Sequence, residues 1–198
     1  PCFLWRYGGE TTVVYKRNRA EELLVRYLIR EARFLVTNSP ATTREFLSFG
    51  IPAERIVEVV PAVDADVFAP GPRPEGLAAR LGVEGKRVLL TVARITPRKG
   101  HDLVLRALAL LENRAEIRYV IVGSGDDRPR LEGLAGDLGI SGSVVFAGRV
   151  DDEDLPDYYR LADVYVMPNR EVTGSTDSIE GFGISFIEAA ATGVPAVA

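Results

Sequence analysis

Arg87-Val-Leu-Leu-Thr-Val-Ala93 and Ile117-Arg-Tyr-Val-Ile-Val-Gly123 decide the fold, with a helical pattern over 101–112 between them. Both runs are rich in β-branched residues and lack the strict alternation of a strand with one wet face, so each reads as a strand buried on both sides. The unit repeats downstream. Ser143 to Gly148, Asp163 to Met167 and Val194 to Ala198 read as further strands, and 128–138, 152–162 and 183–192 as further helices. Regular strand-helix-strand succession predicts an α/β architecture, a parallel sheet with helices on both faces. Ligands of such sheets sit at the carboxyl ends of the strands. Those ends are the loops Arg94 to Gly100, Gly123 to Asp126, Gly148 to Asp151 and Pro168 to Gly183.

Residues 19–60 read as a separate α/β piece: a helix over 19–32, a strand Phe34 to Thr37, a second helix after Asn38-Ser-Pro40 and a strand Ile56 to Val60. Ser39 is placed to cap the second helix, with Pro40 at its first position and Gly50 ending it. Pro61, Pro70, Pro72 and Pro74 then mark a turn-rich connection, as expected between domains. The expected division is 1–60 as the end of one Rossmann-like domain, 61–78 as a linker and 79–198 as a second Rossmann-like domain. Pro1 in place of an initiator methionine and the closing apolar run Val194 to Ala198 predict a piece of a longer chain, incomplete at both ends.

Of the 198 residues, 46% are hydrophobic and 26% charged, which excludes disordered and fibrous classes. A net charge of −4 argues against a nucleic-acid partner. No apolar run approaches the roughly 20 residues of a bilayer span, and a cytoplasmic protein is expected. With Cys2 the only cysteine and His101 the only histidine, a disulfide framework, a thiolate zinc cage and a multi-histidine metal site are excluded. His101 therefore reads as a surface or helix-start residue rather than a general base.

The stretch Glu180-Gly-Phe-Gly-Ile-Ser-Phe-Ile-Glu188 carries most of the chemistry. Gly181 and Gly183 let backbone N–H groups approach an anion at the start of a predicted helix, which suits a phosphate. Glu180 and Glu188 would repel a phosphate, so they are better suited to accept hydrogen bonds from hydroxyls. Phosphate and polyol together point to a nucleotide sugar. Arg94 and Lys99, in the loop after the first strand of the repeat, have the charge to neutralise a diphosphate leaving group without a metal; the alternative is a solvated basic turn. Gly123-Ser-Gly125 resembles the start of a dinucleotide fingerprint, but Arg128 stands where the third glycine belongs. Those glycines either let the loop approach a ligand or simply make the turn. Asp64-Ala-Asp66 reads as a pair of local turn caps. The helix over 19–32 sits in a basic segment and presents Leu24, Tyr27 and Leu28 as an apolar face, read as core-packed, with a membrane surface as the minority alternative.

Taken in order, Thr37-Asn-Ser39, Pro61-Ala-Val-Asp64 to Phe68, Arg94 to Lys99, Gly123-Ser-Gly125, Phe146-Ala-Gly-Arg149 and the two glutamates with seven residues between them resemble the GT-B fold glycosyltransferases of family 4. That family is retaining and metal-independent. The resemblance implies that Arg94 and Lys99 hold the donor diphosphate, and that Gly181, Phe182, Gly183 and Ile184 offer N–H groups to the phosphate or sugar. It further implies that Glu180 contacts the transferred sugar, that Glu188 binds the ribose diol, and that Gly148, Arg149 and Val150 lie beside the base. No cofactor or metal is implied, only a nucleotide-sugar substrate. The polar insert Asn169 to Asp177 is similar to that of mannosyltransferases acting on phosphatidylinositol mannosides, which makes GDP-mannose the expected donor and a glycan or glycolipid the expected acceptor. The family resemblance also implies peripheral contact with the inner membrane face through an N-terminal half outside this sequence, and a fragment inactive by itself. Ala62 stands where the family often has glycine. Two other readings stay open: a GT-B sugar-nucleotide epimerase or phosphorylase, and a nucleotide-sugar-binding module without activity.

Overall fold

A computed structural model describes residues 3–5, 19–170 and 183–198. The chain forms two compact units, Pro1–Ala62 with Glu171–Gly183, and Val63–Arg170 with Ile184–Ala198.

In the first unit, β1 (Phe3–Trp5), β2 (Phe34–Thr37) and β3 (Ile56–Glu58) form a parallel sheet in that order, accompanied by α1 (Arg19–Glu31) and α2 (Pro40–Ser48). Ser39 caps α2 as expected, its hydroxyl accepting the Thr42 N–H at 3.2 Å, and Gly50 follows the helix with φ +76°. Ile29, Ala32, Leu35 and Phe46 make the core. The expected apolar face of α1 is corrected here: Leu24, Tyr27 and Leu28 are exposed, while Ile29 and Ala32 are buried. What packs is Ile29 in the last turn of the helix and Ala32 just beyond its end.

In the second unit, the described strands form a parallel sheet in the order β6-β5-β4-β7-β8. They are β4 (Arg87–Val92), β5 (Ile117–Val122), β6 (Val144–Gly148), β7 (Val164–Val166) and β8 (Ala196–Val197). Its helices are α3 (Glu75–Leu81), α4 (His101–Leu110), α5 (Arg128–Asp137), α6 (Leu155–Leu161) and α7 (Ile184–Ala191). Successive strand residues feed two cores. Val88, Leu90, Val120, Val122, Tyr165 and Met167 pack on one face with residues of α3, α6 and α7. Leu89, Ile117, Tyr119, Ile121 and Val166 pack on the other with residues of α4 and α5. Both faces are covered, which is why these strands lack a polar side. Among the described residues no helix is long and apolar enough to cross a membrane.

Two local expectations change. Helix α3 begins at Glu75, inside the stretch read as a turn-rich connection, and Leu77 and Ala78 are buried in the core. Helix α6 begins at Leu155 rather than at 152 because Pro156 lacks an N–H and is tolerated only in a first turn. Asp151 to Asp154 form the preceding turn, the Asp151 carbonyl accepting from the N–H groups of Asp154 and Leu155.

The sheet is pinned at its amino end by Asp163. Its carboxylate accepts from the Val88 N–H at 2.8 Å and pairs with Arg87 at 2.8 Å and Arg73 at 3.4 Å. Burial alone would raise its pKa, but the Val88 N–H and the two guanidiniums outweigh burial and hold the group below its ordinary value. A depressed carboxylate stabilises the fold fully above its unfolded pKa and loses that contribution as pH falls through the folded value. Asp163→Ala should cost ~1–3 kcal/mol at neutral pH, because it strands the Val88 N–H, and the gap from wild type should close in acid. Denaturant melts at pH 7 and pH 3 check both.

Candidate functional site

The strand order defines where the site lies. The chain runs outward from β4 through β5 to β6 and returns to place β7 on the other side of β4, so the loops after β4 and β7 diverge from a topological switch point. Basic residues sit on the first of these loops, and α7 follows the second.

The loop after β4 is held by its neighbours through the backbone. Ile95 N–H donates to the Ser124 carbonyl at 2.9 Å, Asp127 N–H to the Ile95 carbonyl at 3.3 Å, and Gly123 N–H to the Gly148 carbonyl at 2.7 Å. On the other side Arg170 N–H donates to the Arg98 carbonyl at 2.9 Å. The approaches are tight. A Cβ on Gly123 would lie 2.0 Å from the Ala93 carbonyl oxygen, on Gly125 2.1 Å from that of Ile95, and on Gly100 2.0 Å from that of Pro168. The glycines after β5 thus serve contact with the protein's own backbone.

Lys99 ends a 3-10 turn, Pro97–Lys99, and is 8% exposed, so it is not part of a solvated turn; Arg94 is exposed. The Arg94 carbonyl meets His101 Nε2 at 3.3 Å. His101 opens α4 as expected, yet it is 1% exposed, which corrects its reading as a surface residue. Its Nδ1 meets the Tyr119 hydroxyl at 3.0 Å, which lies 2.9 Å from the Thr91 hydroxyl, and Thr91 bonds the Val166 carbonyl. Because a carbonyl can only accept, Nε2 carries the imidazole hydrogen and Nδ1 accepts from Tyr119. Burial pushes His101 below its ordinary pKa and Tyr119 above its own, so both are neutral at pH 7.

Beside this chain, Asp102 in the first turn of α4 pairs with Arg170 at 3.0 Å, tying the loop after β4 to the segment that leads to 171–182. Glu180, Gly181 and Phe182 lie outside the described residues. Gly183 has φ +80°, and Ile184 is the first residue of α7. The first turn of α7 is placed by Tyr165, whose hydroxyl donates to Ser185 Oγ at 2.7 Å and lies 3.4 Å from the Val92 carbonyl at the end of β4. Helix α7 therefore presents its positive end near the start of the loop bearing Arg94 and Lys99. One turn further along, Glu188 accepts from the Tyr159 hydroxyl at 2.5 Å. Burial raises the Glu188 pKa, and Tyr159 opposes that rise.

Gly148 ends β6 with φ +76°, and Arg149 and Val150 follow it, lining a cleft of about 400 Å³ with Arg80 and Tyr158. Asp64 and Asp66 form a local turn in which Asp64 Oδ1 accepts the Asp66 N–H at 2.9 Å. Among the described residues no group of three His, Cys, Asp or Glu side chains is placed to hold a metal ion. Tyr159, Tyr165 and the His101–Tyr119–Thr91 chain escaped sequence reasoning, because an aromatic in an apolar run reads as core. Their only signal was tyrosine where phenylalanine would serve, since a buried hydroxyl needs a partner.

A family model for glycosyl transferases group 1 matches residues 75–198. The chain is 38% identical over 159 residues to a GDP-mannose-dependent alpha-(1-6)-phosphatidylinositol monomannoside mannosyltransferase of Mycolicibacterium smegmatis, covering 79% of this chain and 41% of that protein. It is 38% identical over 192 residues to a D-inositol 3-phosphate glycosyltransferase of Geodermatophilus obscurus, covering 91% of this chain and 41% of that protein. The chain thus spans about two fifths of these curated relatives. In structure it resembles Anabaena Alr3699/HepE, solved in complex with UDP, with a TM-score of 0.81 at 22% identity over 100% of this chain and 53% of that one. That is a likeness of fold, the GT-B type.

His101 is the only histidine, so the part of the stability profile between pH 8 and pH 5 that a His101 substitution removes reports on it. Because its folded pKa is depressed, stability should be full above about pH 6.5 and fall as pH drops below that value, levelling off below the folded pKa. Melting temperature against pH, with His101→Gln flattening the profile, checks this.

Proposed function

The chain belongs to the glycosyl transferases group 1 family, and from that premise we propose that it is the donor-binding part of a retaining, metal-independent hexosyltransferase. It moves a sugar, mannose in our reading, from a nucleotide diphosphate such as GDP to a hydroxyl of a glycan or glycolipid. The observation that carries this is the switch point between β4 and β7, where a loop with Arg94 and Lys99 and the amino end of α7 come to the same end of the sheet. Two cations and a helix N-terminus there supply what a departing diphosphate needs in place of a metal.

In this reading Arg94 and Lys99 stabilise the leaving diphosphate, Gly183 and Ile184 offer backbone N–H groups to it, and Glu188 accepts from the ribose diol. Arg149 and Val150 lie beside the base. Glu180, Gly181 and Phe182 keep the roles that the resemblance implies. Residues 1–60 then close an acceptor-side domain and 79–198 form the donor side, working in the cytoplasm on an acceptor at the membrane face. The mannosyl donor is supported by the name of the Mycolicibacterium relative.

Thermal shift with GDP, UDP and ADP sugars tests the donor, because a ligand that binds only the folded state raises the melting temperature with its concentration. GDP-mannose should give the largest shift. In the full-length protein, Arg94→Ala and Lys99→Ala should each lower acceptor-dependent nucleotide release ~100-fold to ~1,000-fold, the cost of losing a transition-state donor. Near-normal turnover in both would sink the assignment.

A further inference from the structure

Helices α6 and α7 are joined by the 2.5 Å bond from the Tyr159 hydroxyl to Glu188 Oε2. The Tyr159 ring has no exposed surface and packs between Phe68, edge-on at 5.8 Å, and Tyr165 at 5.9 Å. Its hydroxyl is therefore fixed in place before any ligand arrives. The backbone of Glu188 is fixed too, since Thr192 donates to its carbonyl at 3.0 Å. A carboxylate has about four lone-pair positions on two oxygens. Tyr159 takes one, and Oε1 is left for other donors.

We propose that Tyr159 is a positioning residue for nucleotide recognition: by tying down Oε2 it sets the rotamer of Glu188 and directs Oε1 to the vicinal hydroxyls of the ribose. This rests on the reading of Glu188 as the ribose ligand. A flexible glutamate would lose rotamer freedom on binding; a prior bond to Tyr159 removes part of that cost before the nucleotide enters.

The charge balance fits the same role. Among the described residues, the ionisable groups facing Glu188 are Tyr159 on α6 and Asp152 in the turn before it, with Tyr165 of β7 behind Tyr159. Burial and Asp152 push the Glu188 pKa up, and the Tyr159 bond pulls it down. Burial and the neighbouring carboxylate keep the phenol protonated, so it is a donor at every working pH. Without it, Glu188 would take up a proton at higher pH and cease to be a full acceptor.

The test is calorimetric binding to the full-length protein of GDP, or of UDP or ADP should one of these bind more tightly, against its 2′,3′-dideoxy form from pH 5 to 8. Wild type should prefer the ribose form. Tyr159→Phe keeps the ring and should cost about tenfold in affinity for the ribose form, the scale of a hydrogen bond to a charged group. Its binding of the dideoxy form should be unchanged, and the acid limb of ribose-form binding should move to higher pH. The two ligands carry the same phosphates, so their ratio isolates the diol. Glu188→Ala should abolish the preference for ribose. A Tyr159→Phe protein that keeps both the preference and the pH limb, or that fails to fold, overturns the positioning role while Glu188→Ala still reports on the diol. A Glu188→Ala protein that keeps the preference overturns the reading of Glu188 itself.

Discussion

Everything at the carboxyl end of the five-stranded sheet depends on how closely its loops pack backbone to backbone. Carbonyl oxygens of Ala93, Ile95 and Pro168 lie where a side chain on Gly123, Gly125 or Gly100 would begin. Two loops this close share one position, so the segment bearing Arg94 and Lys99 cannot shift without moving the segments after β5 and β7. That matters for the proposed site, whose chemistry would be electrostatic. Preorganised charge stabilises a developing anion because it does not have to rearrange when the charge appears, and the glycines provide that rigidity without placing a functional atom of their own.

A second layer lies beneath the loops. His101, Tyr119 and Thr91 form a buried line from the Arg94 carbonyl to the Val166 carbonyl, joining the loop after β4 to β7 through the interior. Both ends accept only, so the neutral groups supply three hydrogens for four contacts, and the Thr91 hydrogen serves both Tyr119 and Val166. Protonating His101 would complete the count, yet burial disfavours the charge. The imidazole here acts as a strut with a definite tautomer. Tyr165 does similar work on the opposite face, linking β7 to Ser185 at the start of α7.

The parallel sheet was legible because its strands carry no wet face, and the helices because their apolar spacing brackets them; the observed ends differ by a few residues. Helix α3 was hidden by the prolines before it. The packed face of α1 was misjudged because Leu24, Tyr27 and Leu28 make the more conspicuous apolar pattern, whereas Ile29 and Ala32 are the residues that pack. Lys99 and Glu188 were singled out from charge in a glycine-rich context. Tyr159, Tyr165 and Tyr119 were not, because nothing in a one-dimensional pattern distinguishes a tyrosine that fills space from one that also orients a carboxylate.

The choice of a phenol as the partner of Glu188 has a physical logic within the proposed role. An arginine at that place would engage both carboxylate oxygens in a bidentate pair, leaving few lone pairs for a diol, and its charge would offset the one that makes the carboxylate a strong acceptor. A neutral phenol donates once and stops. It opposes the cost of burying the charge without cancelling it, so Glu188 stays a carboxylate with an oxygen to offer. The sheet end then separates two kinds of recognition by charge. Cations and a helix N-terminus gather where β4 and β7 diverge, which suits a diphosphate, and an anion positioned by a neutral donor sits one turn along α7, which suits hydroxyls.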